Sequence, residues 1–378
     1  MIEPSVKGWC PGAYQPMVSG DGLIVRIRPK FAEFSSVQIK EICRLSQKYG
    51  SGIIEFTSRA NLQLRGINQS DHERLLHILN QLDLLDPDLA SEARRNVIIT
   101  PDWVQGDLSK QITRELYLRL SELPDLPAKF GLAVDLGAIP RLQNVSADIR
   151  VEKDSKSTLL VYPDGSDFGC PTTKSNLVDC IIDIARWFEA TRSPSAKRMR
   201  DHLANQAVPK AWSLTPRNTQ NAPLRIGKIP QGQIVGIPFG QCHYKDLLHL
   251  LSLSQAKSIR LTPWRSIVLL DAKTIGADDR FITAPTDPLL RINACPGRPM
   301  CQSATVETRQ LARLLAGKTT GTLHISGCSK GCAHPKAADI TLVGQSGAFN
   351  LIQGGQSGDT PQKTGLTGPH ILETLDSL

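Results

Sequence analysis

The chain has 378 residues, 40% of them hydrophobic and 21% charged, a globular balance with enough apolar content to bury a sizeable core in two or three domains. Forty-four basic against 36 acidic side chains leave a net charge of +8, which favours an anionic partner. With 5% aromatics and no long basic run, a small polyanion fits that charge better than nucleic acid does. No apolar stretch approaches the roughly 18 residues a membrane span needs, and the start MIEPSVKGWCPG offers no secretory signal, so a cytoplasmic protein with reduced cysteines is expected.

In chain order, residues 22–67 read GLIVRIRP, FSSVQIKEICRLSQKYG and SGIIEFTSRANLQLRGI, a strand–helix–strand–strand pattern. Leu23, Val25 and Ile27 alternate along the first strand. Ser35 or Ser36 is placed to cap the helix and Gly50 to end it, with Cys43 on its apolar face. His72 and His77 fall on a polar helix and are expected at the surface. Next come a short buried strand in RRNVIITPDW and amphipathic helices in SKQITRELYLRLSEL and SNLVDCIIDIARWFEATR. Residues 232–271 then repeat the first pattern as GQIVGIPFG, QCHYKDLLHLLSLSQ and AKSIRLTPWRSIVLLD, and Thr57 aligns with Thr262 as Leu64 does with Leu269. Two pseudo-equivalent halves follow from this repeat. The last segment predicts a helix in QSATVETRQLARLLAG, beginning just after Cys301 and closing at Gly317, strands in TLHISG and ADITLVG, and a loop in GGQSGDTPQKTG. Linkers are expected near 86–93, 211–225 and 272–288. The domains drawn from this are 1–85, 94–210, 221–275 and 289–378.

Four cysteines carry the strongest chemical signal. Cys295 and Cys301 lie in ACPGRPMCQSA, and Cys328 and Cys332 in SGCSKGCAHP. Two short loops, each offering two sulfurs, are what a soft metal centre needs: a [4Fe–4S] cluster, or a tetrahedral zinc. Zinc knuckles usually leave two to four residues between ligands, so the five residues between Cys295 and Cys301 favour iron–sulfur. His324 and His334 flank the second pair, where packing or a hydrogen bond to the centre is the expected role. No G-x-G-x-x-G follows a strand, so no dinucleotide site is expected and electrons must come from another protein.

The duplicated halves with Cys-x5-Cys and Cys-x3-Cys resemble the sulfite and nitrite reductase superfamily. Within it, WCPGAYQPMVSGDGLIVRIRP and LHISGCSKGCAHPKAADITLVG look most like the precorrin-3B synthases. The resemblance implies an α+β fold: two ferredoxin-like half-domains (1–85 and 221–275) plus α/β sulfite-reductase-like domains (94–210 and 289–378), the last holding the cluster. It further implies an oxygen-dependent monooxygenase of aerobic cobalamin biosynthesis that hydroxylates precorrin-3A at C20 and forms a γ-lactone. The implied cofactors are a [4Fe–4S] cluster on Cys295, Cys301, Cys328 and Cys332 and a mononuclear non-haem iron of unknown ligands. NADH is the implied ultimate donor, through a separate reductase.

Substrate-binding residues carried over by position are Arg26, Arg59, Gln63, Arg95 and Lys129, with Gly131 standing where the reductases place a second lysine. Arginine forks suit the carboxylates of a tetrapyrrole because they stay charged and bind bidentately. Arg28 alternates with Arg26 and could share its face. Two other readings remain open at this stage: a sirohaem- and cluster-dependent nitrite or sulfite reductase, and a non-catalytic tetrapyrrole-binding electron carrier.

Overall fold

The computed structural model describes residues 9–375. In the first half, β1 (Met17–Ser19), β2 (Gly22–Ile27), β3 (Glu33–Ser35), β4 (Ile53–Phe56) and β5 (Leu62–Ile67) surround helix α1 (Ser36–Tyr49). Ser35 caps that helix in a capping box, its side chain accepting from the Gln38 N–H while Gln38 returns a bond to the Ser35 N–H. Helices α2 (His72–Gln81) and α3 (Leu89–Arg94) lead to the middle segment. There β6 (Val97–Ile99), β7 (Leu132–Val134), β8 (Ile149–Lys153), β9 (Leu159–Pro163), β10 (Phe168–Thr172) and β11 (Thr215–Pro216) form one sheet in reverse chain order. The middle helices are α4 (Leu108–Leu118), α5 (Leu177–Thr191) and α6 (Met199–Leu203). The apolar face of α5, from Leu177 to Phe188, buries itself with Ile112 and Leu116 of α4 and the sheet residues Val134, Ile149 and Val161.

The second half repeats the first with β12 (Gly227–Ile229), β13 (Gly232–Gly236), β14 (Gln241–His243), α7 (Tyr244–Ser254), β15 (Ser258–Leu261) and β16 (Ser266–Leu270). The equivalence extends to backbone conformation. Phe31 and Phe239 both take a left-handed conformation, at φ 56° and 57°, as do Ala60 and Arg265 at 52° and 53°. Such residues cost on the order of 1 kcal/mol each, so their recurrence at matching places reflects a shared turn geometry rather than chance.

The halves exchange a strand. Sheet order is β1-β2-β5-β4-β14 in one and β12-β13-β16-β15-β3 in the other, so each sheet is completed by the short strand of its counterpart. One core fills the space between them: Ile39, Ile42 and Leu45 of α1 and Leu247 and Leu250 of α7 pack with Phe34, Ile54, Leu64, Ile259 and Leu269.

The last sheet runs β17 (Ile292–Ala294), β18 (Leu323–Ser326), β19 (Ala338–Gln345), β20 (Ala348–Gly355) and β21 (Lys363–Leu366), with β17, β18 and β19 parallel. Four sequence expectations are corrected. Helix α8 spans only Arg309–Leu315, not the whole stretch from Cys301 to Gly317. The β-branched Thr305 and Val306 are poor helix formers, and their backbones pair elsewhere: the Thr305 N–H donates to Gly327 O and Val306 O accepts from the Arg298 N–H. The tail read as loop contains β21. The stretch 86–93 holds most of α3, capped by Asp88. His72 is buried rather than exposed, its ring bonded to Ala13 O at 2.8 Å, while His77 is exposed as expected.

Candidate functional site

Strands β17 and β18 lie side by side and parallel, with Ala294 opposite Ile325. Cys295 leaves the end of one, and Cys328 lies two residues past the end of the other, so both cysteine loops start from the same sheet edge. Ligand sites of parallel sheets form at such carboxyl ends. The Gly327 N–H donates to Cys295 Sγ at 3.0 Å. Thr308 Oγ1 clamps the Cys295 carbonyl at 2.5 Å. Two glycines close the loops at positive φ. A Cβ on Gly297 would meet Thr308 Oγ1 at 2.7 Å, and one on Gly331 would meet Ser357 Oγ at 2.0 Å. Burial raises the Cys328 thiol, and Cys301 and Cys295 push it further. Cys332 is raised by burial and then by Cys328, with Cys295 and Cys301 adding to it. Cys328 and Cys332 thus each lie close enough to the other cysteine loop to feel its sulfurs.

Among the described residues, no group of three or more His, Cys, Asp or Glu side chains is arranged to hold a single metal ion. Cys295, Cys301, Cys328 and Cys332 are among those residues, so their loops share one sheet edge without their sulfurs forming a single-ion ligand group, and among the described residues no ligands are assigned to a mononuclear iron. His324 is buried beside these loops with neither ring nitrogen partnered, its ring centroid 5.7 Å from that of His334. Burial, then His334 and Arg265, push His324 down to about 4, so its ring is neutral.

The arginines gather at one edge of the first sheet. Arg26 on β2 stands opposite Gln63 on β5 and gives it two bonds, Nε and Nη2 to Oε1 at 3.0 and 2.7 Å. Burial lowers Arg26 to about 10, with Arg28 and Arg59 adding to that and Cys10 opposing it. It remains charged at neutral pH. Arg59, in the turn between β4 and β5, donates from Nη2 to Lys129 O at 2.8 Å, and its Nη1 is buried without a partner. Burial and then Arg198 lower it. A Cβ at Gly131 would stand 2.9 Å from this Nη1, so the glycine makes room for the guanidinium. The Gly131 N–H is held by Asp148 Oδ2 at 2.8 Å, and the same carboxylate pairs with Arg198 at 2.9 Å.

The other carried-over residues stand differently. Arg95 is saturated: Nε and Nη2 bond Asp86 at 2.6 and 2.8 Å, and Nη2 also reaches Arg28 O. Its fork braces the turn behind Arg28. Lys129 meets the cleft through its carbonyl, and the residue is exposed. Gln63 does not face open space but is locked between Arg26 and Glu55. Position-by-position reading missed Cys10, Arg198, Glu55, Arg265 and Arg309. Arg309 lay inside an over-long predicted helix, Arg198 carries no local pattern, and Cys10 lay in the quoted WCPG stretch without being given a role.

Residues 15–82 match the nitrite/sulfite reductase ferredoxin-like half domain. Precorrin-3B synthase of Sinorhizobium sp is 28% identical to the chain, over 94% of it and 84% of that protein. Along most of its length the chain is similar to precorrin-3B synthase. Ferredoxin–nitrite reductase of Synechococcus elongatus is 26% identical, over 89% of the chain and 78% of the relative. The solved structure of the Mycobacterium tuberculosis NirA protein superposes with a TM-score of 0.67 at 17% identity, over 94% of the chain and 79% of that structure, a likeness of fold. The family match falls on the first half-domain, and the NirA likeness extends to the α+β fold described above.

Proposed function

We propose that the chain is an oxidoreductase that hydroxylates a polycarboxylated tetrapyrrole, taking precorrin-3A to precorrin-3B by C20 hydroxylation and γ-lactone formation with dioxygen as co-substrate. The observation that carries this reading is the Arg26–Arg28–Arg59 group, with the unpartnered Nη1 of Arg59 cleared by Gly131. Beyond the effect of burial, Arg28 and Arg59 each lower Arg26, and a carboxylate-rich ligand would offset that like-charge effect while pairing with the free N–H. The similarity to precorrin-3B synthase across 94% of the chain supports the same substrate class.

Within this reading, Arg26 and Arg59 bind substrate carboxylates and Arg28 adds charge behind them. Lys129 O and Asp148 orient the groups that hold Arg59. Cys295, Cys301, Cys328 and Cys332 hold a [4Fe–4S] cluster, which when bound passes electrons singly from a separate donor protein, with NADH the ultimate source. No step is assigned to a mononuclear iron. The protein works in the cytoplasm, where thiols stay reduced.

The similarity to nitrite reductases over 89% of the chain favours one further reading, a sirohaem-dependent nitrite or sulfite reductase. Labelled dioxygen separates the two. One labelled oxygen atom in the tetrapyrrole product supports the monooxygenase. Sulfite or nitrite turnover with strong sirohaem bands and no incorporation supports the reductase.

A further inference from the structure

The duplication lets equivalent positions of the two halves be compared. Across the first sheet, Arg26 pairs with Gln63, Gln63 with Glu55, and Glu55 with Gln241 of the exchanged strand, giving one polar row over four strands. The matching row in the second sheet is Ile234, Val268, Arg260 and Glu33. Its first two members are apolar, and Ile234 and Val268 pack in a small core of their own. Its other two form a closed ion pair: Arg260 bonds Glu33 at 2.7 Å and the Pro101 and Trp103 carbonyls at 2.7 Å, with Trp103 stacked on the guanidinium. Every charge there is satisfied by the fold.

The first row differs in both respects. It is polar throughout, and it is not closed. Gln63 Nε2 donates to Glu55 Oε2 at 3.0 Å, and Arg65 Nη1 reaches the same oxygen at 3.3 Å. Glu55 Oε1, Gln241 Oε1 and the Nε and Nη1 of Arg309 are buried without hydrogen-bond partners, while Arg309 Nη2 lies 3.7 Å from Glu55. Buried polar atoms left open in this way call for a function. The row also has two ends. One is Arg26 in the basic cleft. At the other, Arg65 donates to the carbonyl of Met300, beside Cys301, and Arg309 is close enough to Cys295 for that thiol to raise it, against the stronger lowering by burial. A cavity of about 300 Å³ opens there between Gln241, Met300, Arg309 and Arg313.

We propose that Glu55 is a positioning residue that ties the two sites together: through Gln63 it fixes the fork of Arg26 toward the cleft, and through Arg65 and Arg309 it sets the charge facing the cysteine loops. The cleft end of this proposal rests on the tetrapyrrole reading above. The loop end does not. Glu55 Oε2 accepts from both Gln63 and Arg65, whose fork Asp21 also holds, and Arg309 Nη2 lies 3.7 Å from Oε1, so one carboxylate links the two ends.

Two variants of the full chain test it. Glu55→Gln keeps the shape and removes the charge; Gln63→Met cuts the link to Arg26 and leaves the charge. Uroporphyrin, an octacarboxylate, is titrated against protein without metal, and the cluster midpoint potential is measured after iron–sulfur reconstitution. Gln63→Met is expected to bind uroporphyrin about tenfold more weakly (~1.4 kcal/mol) with its potential unchanged. Glu55→Gln is expected to move the potential to a more positive value, because loss of a nearby anion favours the reduced cluster. An unshifted potential in folded Glu55→Gln overturns the proposal, as does parental uroporphyrin binding by Gln63→Met while Arg59→Ala loses it. Should Glu55→Gln not fold, Gln63→Met alone decides. If Arg59→Ala binds uroporphyrin like the parent, the tetrapyrrole reading is what fails, and the potential measurement still decides Glu55.

Discussion

The contact between Arg59 and Gly131 sets what the cleft can hold, because the guanidinium occupies the space where any side chain at 131 would begin. Gly131→Ala should therefore displace Arg59 and weaken uroporphyrin binding about as much as Arg59→Lys, roughly tenfold each. Titration by fluorescence quenching checks this, and a Gly131→Ala protein that binds like the parent would contradict the steric argument. Asp135 behaves as a pH-dependent strain on the middle sheet. Its Oδ2 accepts the Leu142 N–H at 2.8 Å, but Oδ1 is buried without a partner, and burial raises the group to about 6. The folded protein thus holds this proton more tightly than the unfolded chain does, so stability falls as pH rises from about 4 to about 6 and stays lower above. Asp135→Asn should gain on the order of 2 kcal/mol above pH 6 and almost nothing at pH 4. Denaturant unfolding at the two pH values measures the difference, and equal gains at both would refute it.

The cysteine loops depend on glycines at the scale of the element. Gly331→Ala forces a Cβ against Ser357 as well as demanding positive φ, whereas Gly276 has nothing within 4 Å of an added Cβ. Reconstitution should load far less iron and sulfide into Gly331→Ala than into the parent, with Gly276→Ala unchanged. Serine in place of any one of Cys295, Cys301, Cys328 or Cys332 should lose most of the iron and lower the unfolding midpoint of the loaded protein, since ligation couples to folding. Iron content near parental in all four would remove the cluster assignment. That the two cysteine pairs would sit in two short loops was legible in the sequence, because such loops are local. The helix after Cys301 was misread for the opposite reason: residues 302–308 have helical company in Leu311, Ala312 and Leu315, but their backbone groups are used by partners such as Gly327 and Arg298, distant or turned back in the chain. Arg95 shows the same limit. Its position could be matched by pattern, yet Asp86, which neutralises it, sits in a stretch that reads as a linker.

For the molecule as a whole, the repeat of strands and helix in 22–67 and 232–271 was visible in the chain, down to the pairing of Thr57 with Thr262. The exchange of β3 and β14 was not, because three-residue strands of mixed polarity leave no periodic signal. The exchange predicts that residues 1–85 expressed alone will not unfold cooperatively: the sheet loses β14, and β3 and the core face of α1 lose their partners. Thermal melting followed by circular dichroism tests this, and a sharp transition near that of the full chain would contradict it.

Strand exchange between like units is how identical subunits swap parts in a dimer, and here both units sit in one polypeptide. In a symmetric pair every substitution is made twice, so a polar row such as Arg26–Gln63–Glu55 would have to face two sites. Joined in a single chain, the halves are free to diverge. One row has become an apolar patch and a sealed ion pair that carry load, and the other keeps its open charges. The fold thus gained an inside difference between left and right that no true dimer of this unit could hold.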